Sequence, residues 1–261
     1  MGRRIVITSG KGGVGKTTIT ASVGVALAEL KKSVVLVDAD IGLNNLDVVL
    51  AIENRVVYDI LDVVMGKCRL RQALIQDSSQ PNLFILPSAK ICDSPLLSAQ
   101  SFRNVVHALS LSYDFVIIDC PAGIDNGFHR AVSSADEAIV VTTPNVSAIR
   151  DADKVLSLLM SYSLQSTGLV VNRVRSDMVQ RGEMMGIGDI ARIVRTKPVG
   201  LIPEDDCITM YSAVGRVPFD TASGRAFKML ASNILTGNSA IYSENSRDGM
   251  LKRLKRFLGY R

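Results

Sequence analysis

The sequence predicts an α/β domain of the doubly wound kind, a mostly parallel sheet of about seven or eight strands with helices on both faces. Three observations lead there. Short, nearly continuous apolar runs rich in β-branched residues recur along the chain. Most of them are separated by stretches of helical periodicity, and the first opens into a glycine-rich loop followed by a helix. Strands that are apolar on both faces must be covered on both faces, which is the situation of a parallel sheet with crossover helices.

Taken in order, residues 5–8, 34–37, 83–86, 115–118, 138–142, 169–171 and 199–202 read as strands, and 17–30, 98–111, 147–161 and 222–235 as helices. They make one domain over residues 1–236, which suits a 261-residue chain that is 47% hydrophobic. Residues 237–249, polar and rich in Gly, Ser and Asn, read as a flexible linker to a separate segment, 250–261. The N-terminus enters a buried strand and then glycines, with no export signal, and no apolar run reaches the roughly 20 residues of a membrane span. Cys68, Cys92, Cys120 and Cys207 stand apart, without the spacing of a zinc site or a disulfide framework, so reduced thiols of a cytoplasmic protein are expected.

The first strand runs into Gly10, Lys11, Gly12, Gly13, Val14, Gly15, Lys16 and Thr17, followed by Thr18 and a helix. This satisfies G-x-x-x-x-G-K-[ST] in its strand–loop–helix context. Glycines let backbone N–H groups wrap phosphate oxygens, and the helix start adds partial positive charge. Lys16 is placed to reach β- and γ-phosphates and Thr17 to ligate Mg²⁺. Two further segments end strands beside this loop: Asp38 and Asp40 after the second strand, and Asp119 to Gly123 after the fourth. Each aspartate alone would serve as a helix or turn cap. Together they mark the carboxyl edge of the sheet, where ligands of such folds bind.

The second lysine of the loop, in the form KGGVGK, resembles the deviant Walker A loop of the MinD/ParA family of P-loop ATPases. The resemblance implies ATP and Mg²⁺ as ligands and an ATP-dependent homodimer in which Lys11 reaches the partner's phosphates. On its own, Lys11 would be a solvated lysine. By the same match, Asp38 and Asp119 hold Mg²⁺ through water, Asp40 orients the attacking water, and Gly123 lets the backbone approach the γ-phosphate. Asn172, otherwise a strand-end turn residue, and the loop Pro203, Glu204 and Asp205 are implied to contact adenine. Ile149, Arg150, Asp151 and Asp153 resemble the helix on which family members dock regulators.

The tail is distinct. The 30 basic and 25 acidic residues give a net charge of +5, yet six basic residues and one acid lie from Arg247 onward, so the body is neutral. At ~100° per residue, Met250, Leu251, Leu254, Phe257 and Leu258 share one face, and Lys252, Arg253, Lys255 and Arg256 the other. That is the pattern of an interfacial membrane helix; a last core helix or a nucleic-acid arm are the other readings. Burying five apolar side chains yields on the order of 10 kcal/mol gross, and ordering the segment costs a comparable ~10–15 kcal/mol. One tail therefore binds marginally, and two on one dimer bind far better. Within the family, the tail and segments such as Gly42–Asp47 and Pro121–Ile124 resemble the septum-site-determining branch. That implies recruitment of the division inhibitor MinC, regulation by MinE or another topological factor, an anionic phospholipid surface as partner, and no nucleic acid. It also implies residence in the cytoplasm and on the cytoplasmic face of the inner membrane. A flagellar-number ATPase and a ParA-like DNA-segregation ATPase are the alternatives.

Overall fold

The computed structural model describes residues 1–42, 45–89, 97–212 and 215–243. Its strands are β1 (Arg3–Thr8), β2 (Val34–Asp38), β3 (Ile75–Gln76), β4 (Leu83–Leu86), β5 (Phe115–Asp119), β6 (Glu137–Thr142), β7 (Ser166–Val174) and β8 (Pro198–Pro203). The helices are α1 (Lys16–Glu29), α2 (Asn45–Val49), α3 (Ile60–Val64), α4 (Leu70–Ala73), α5 (Ala99–Ser110) and α6 (Asn126–Val132). They continue with α7 (Val146–Leu159), α8 (Ser176–Gln180), α9 (Ile187–Ile193), α10 (Cys207–Ser212) and α11 (Ala222–Thr236).

All strands join one sheet of order β3-β4-β2-β5-β1-β6-β7-β8. Every pairing is parallel except β3 with β4. The strands read from the sequence all form, with ends that differ by a few residues. The added one, β3, is only two residues long at the antiparallel edge, too short to carry a period. The short helices α2, α3, α4, α6, α8, α9 and α10 escape a periodicity reading for the same reason: one to two turns present no repeated face. α3 is instead announced by its capping box, Asp59 with Asp62.

The strands alternate between two cores. Ile5 and Ile7 of β1 pack with α1 and α11 on one face, where Phe227 and Leu230 are fully buried. Val6 points to the other face, with Val116 and Ile118 of β5, Phe102 of α5, Phe128 of α6 and Val155 of α7. α1 packs on the sheet with α11 beside it and α2 against it, and is therefore apolar almost all round, with Ile19 through Ala28 buried. β1 sits mid-sheet, with the strand order reversing around it, and its carboxyl end opens the crevice in which such folds hold ligands.

The polar stretch read as linker is tied down at its start. Asn233 of α11 is 4% exposed; its amide donates to the carbonyl oxygens of Val199 (2.9 Å) and Ala240 (2.7 Å) and accepts from the Ala240 N–H (3.3 Å). The start of the stretch thus has backbone partners, supplied by a buried amide on α11, that its polar composition does not reveal. Residues 244–261, with the whole amphipathic segment, lie outside the described residues.

Candidate nucleotide site

The loop after β1 is built to leave N–H groups free. α1 begins at Gly15, whose φ of 96° is left-handed, and neither a capping side chain nor an acid occupies its first turn. The helix N–H groups thus have no internal partner and face the loop, a ready anion site. A Cβ at Gly15 would also lie 2.4 Å from the Asn172 amide nitrogen, and one at Gly10 would lie 2.3 Å from the Asp151 carbonyl oxygen. The loop is pinched between the end of β7 and the start of α7, and only glycine fits at those two points. Ser9 Oγ donates to the Lys11 carbonyl (2.8 Å) and holds the turn. Lys16 is 8% exposed; Lys11, Gly12 and Gly13 are open to solvent.

The acidic side of the crevice is a buried carboxylate pair. β2 and β5 are paired in register, so Asp38 stands beside Asp119. Thr17 Oγ1 donates to Asp119 (2.6 Å), and Thr20 Oγ1 donates to its other oxygen (3.1 Å). Asp38 accepts from the N–H groups of Asp40 (2.9 Å) and Leu46 (3.2 Å), fastening the loop that follows β2. Asp40 accepts from the Asn45 amide (3.2 Å). Burial raises the Asp119 carboxyl to about 6, against the lowering effect of Thr17, Lys16 and Thr20. Burial and the Asp119 charge also hold Asp38 well above the ordinary carboxylate range, and burial raises Asp40 despite the Lys16 charge. Two adjacent buried carboxylates with one lysine nearby are short of positive charge. Their oxygens and the Thr17 hydroxyl form a hard donor set that suits Mg²⁺. Thr20 was not read from the sequence, although it lies three residues after Thr17 on the same helix face.

On the base side, Asn172 stands near the end of β7, where the register with β8 shifts between Val171 and Val174. It is 6% exposed, and its amide donates to the Val14 carbonyl (2.8 Å), bracing the phosphate loop. Pro203 ends β8, and Glu204 lines a polar cavity of about 580 Å³ with Val174, Arg175, Ser176, Asp177 and Asp206. Asp205, expected at the base, accepts from Ser223 Oγ (2.7 Å) and from the N–H groups of Cys207 (3.0 Å) and Ser223 (3.3 Å). Against the raising effect of desolvation, the Ser223 and Thr221 hydroxyls and these N–H groups draw its carboxyl down to about 2. Its observed contacts fasten the start of α11. Asp205→Ala is expected to lower stability by ~1–2 kcal/mol, the cost of a lost cap; thermal unfolding without nucleotide measures it, and an unchanged midpoint would contradict it.

Near the loop, Lys11 Nζ donates to Ser147 Oγ (3.0 Å). Ser147 belongs to α7, as do the residues read as a docking face. Arg150 and Asp153 of that face are exposed and Asp151 half-buried. Ile149 is a correction: it is 3% exposed and packs in the core, because Ala148, Ile149, Ala152 and Val155 form the inward stripe of α7. Of the cysteines, Cys68, Cys120 and Cys207 are free thiols, and burial pushes Cys120 up to about 12, which leaves it inert. Among the described residues no helix is long and apolar enough to cross a membrane.

Comparison with known proteins agrees with this geometry. Residues 2–167 match a family model described as an AAA domain. The chain is 44% identical over 268 residues to the septum site-determining protein MinD of Bacillus subtilis, covering 100% of both chains. The MinC:MinD cell division protein complex of Aquifex aeolicus contains a similar chain: TM-score 0.84 and 42% identity, covering 91% of this chain and 97% of that one. The septum site-determining protein MinD of Pyrococcus horikoshii, complexed with Mg-ADP, gives a TM-score of 0.80 at 32% identity, covering 92% and 99%. The phosphate loop, the paired aspartates and this likeness along the whole chain lead to one conclusion: the protein belongs to the MinD family of septum site-determining P-loop ATPases.

Proposed function

We propose that this ATPase is a membrane switch of division-site selection. Mg-ATP joins two copies, the paired tails at residues 250–261 attach the dimer to anionic phospholipid on the cytoplasmic face of the inner membrane, and the attached dimer recruits MinC against septum formation away from midcell. The observation that carries the reading is Lys11. It is exposed at the mouth of the phosphate loop, and its bond is to a serine hydroxyl, so it is free to transfer to the phosphates of a second copy. A similar chain in complex with MinC supports that partner.

In the reaction, the loop N–H groups and Lys16 hold the phosphates, and Asp40 holds and orients the attacking water. Thr17 would bind Mg²⁺ directly, with Asp38 and Asp119 through water; the ion supplies charge neutralisation at the β- and γ-phosphates. To do so, Thr17 gives up its bond to Asp119. Lys11 of the second copy adds charge as the γ-phosphoryl leaves, in the manner of an arginine finger. Gly123 has a φ of 93° with open space at its Cβ position, which suits a backbone N–H turning toward phosphate. Asn172 and the Pro203–Asp205 loop bound the base. Arg150, Asp151 and Asp153 present the face for MinC, and for MinE or another regulator.

Co-sedimentation with anionic liposomes, comparing a non-hydrolysable ATP analogue with ADP, tests the switch. Pelleting with the ATP analogue and not with ADP is expected. Leu254→Glu should reduce membrane binding by about 10-fold or more through loss of one buried side chain per tail, with nucleotide affinity unchanged. Equal pelleting in both nucleotide states would refute the switch, and retention of Leu254→Glu on liposomes would place the membrane contact elsewhere.

A further inference from the structure

α11 ends at Gly237, left-handed at φ 74°, on the edge of the sheet where the strands begin. There Gly237 and Asn238 line a cavity with Arg3, Ser166, Thr167 and Lys197. A chain continuing outward from this point would launch the tail from the edge opposite the nucleotide. It does not do so. The three Asn233 hydrogen bonds to Val199 and Ala240 turn it back along β8. Ile241, Tyr242 and Ser243 then close an apolar cavity of about 350 Å³ with Val174, Val179, Ile187 and Leu201. Tyr242 packs on the α1–α11 core, and its hydroxyl accepts from Arg225 (3.4 Å). Leu201 of β8 lies four residues on from Lys197, which precedes the strand, so the root is carried ~13 Å across the sheet. Val174 and Ser176, which line this cavity with the root, also line the polar cavity beside Glu204.

We propose that Asn233 and Tyr242 are a tether anchor, which moves the root of the membrane tail from the strand-start edge of the sheet to its nucleotide edge. There the two tails of an ATP dimer leave from the side on which the copies meet. The inference rests on the membrane-switch reading and adds the residues that set its geometry. The anchor also limits the tether. With Ser243 held, residues 244–249 separate the body from Met250; with the anchor released, residues 238–249 do, and the length doubles. For a tether already long enough to span the two contacts, effective concentration falls at least as the −3/2 power of its length, so doubling costs about threefold. The displaced root adds to that loss.

A merely structural role is the competing account: Asn233 satisfies an edge-strand carbonyl, and Tyr242 covers β8. Three proteins separate the two. In Asn233→Ala and Tyr242→Ser the anchor is broken; in the third, six Gly/Ser residues are inserted after Ser243, which leaves the anchor and the fold intact. Each is titrated with phosphatidylglycerol-containing vesicles and an ATP analogue, and its dimerisation is measured by light scattering. The expected result is normal dimerisation with vesicle affinity at least about threefold weaker in all three. Native vesicle affinity in the insertion protein would overturn the proposal whatever the point variants do. So would point variants whose membrane loss merely follows a loss of dimer. If the native chain itself fails to pellet with the ATP analogue, it is the membrane-switch reading that falls; native pelleting with unaffected variants removes the anchor alone.

Discussion

Lys11→Ala is expected to abolish ATP-dependent dimers and to cut ATP hydrolysis by about 10³-fold or more, the scale of removing a charge supplied in trans to a transferring phosphoryl group. The physical case has two parts. Lys11 is exposed and bonded to Ser147 Oγ, so its loss removes one surface hydrogen bond and should leave the fold within about 0.5 kcal/mol of native. The phosphates of two nucleotides brought face to face repel, and each Lys11 would neutralise the other copy's charge in a water-poor interface where the Coulomb term is large. Nucleotide binding by the single chain should survive, because Lys16 and the loop backbone remain. Light scattering with an ATP analogue, beside equilibrium binding of a fluorescent nucleotide, gives both readings. A dimer of native strength would remove Lys11 from the role. Lost nucleotide binding would place it in the single-chain site instead.

Asp119→Asn should make the nucleotide-free protein more stable at neutral pH and a much poorer enzyme. The Asp119 carboxyl is raised to about 6, above the ~3.9 of an unfolded aspartate. The folded state therefore holds that proton more tightly than the unfolded chain does. Its contribution is fully present below about 4 and is lost as pH rises through about 6, so near pH 7.5 the ionised pair is a burden. At ~1.4 kcal/mol per unit the burden is about 1–3 kcal/mol, or roughly 3–10 °C in the midpoint for a domain of this size. The native protein without Mg²⁺ or nucleotide should accordingly gain stability between pH 7.5 and 5.5, and Asp119→Asn should flatten that part of the profile. Hydrolysis should fall by about 10²–10³-fold, as expected when a group that organises transition-state charge is lost. A variant no more stable than native at pH 7.5 would show that the carboxylate pair carries no such cost. This is a stability-for-function exchange placed where the family chemistry needs a cation.

The phosphate loop was legible in the sequence because its chemistry is local. Gly10 to Thr17 must be contiguous to wrap one phosphate group, so strand, glycines and lysine appear in order. Asp38 and Asp119 were legible as strand-end acids, but their adjacency was not: it depends on β2 and β5 being neighbours in register, a pairing of residues far apart in the chain. Thr20 and Asn45 belong to the same class. Their hydroxyl and amide have ordinary surface chemistry until the fold sets them against Asp119 and Asp40.

Where the sequence reading gave way, a tertiary contact decided. Ile149 sits within a motif that resembles a docking face, yet α7 turns it inward with Ala148 and Ala152. Asn172 and Asp205, read as base contacts, also brace the Val14 carbonyl and the start of α11, ties between distant segments that the chain order does not show. The stretch after Gly237 is polar and glycine-bearing, as linkers are, and one buried amide, Asn233, holds it against β8. By itself the sequence determined the fold class, the nucleotide loop and the charge of the tail, because repeating apolar periods, contiguous loops and charge blocks are written along the chain. Only the tertiary structure decided which acids lie side by side, which helix face is free and where residues 240–242 are held, because these depend on which distant segments come to lie together.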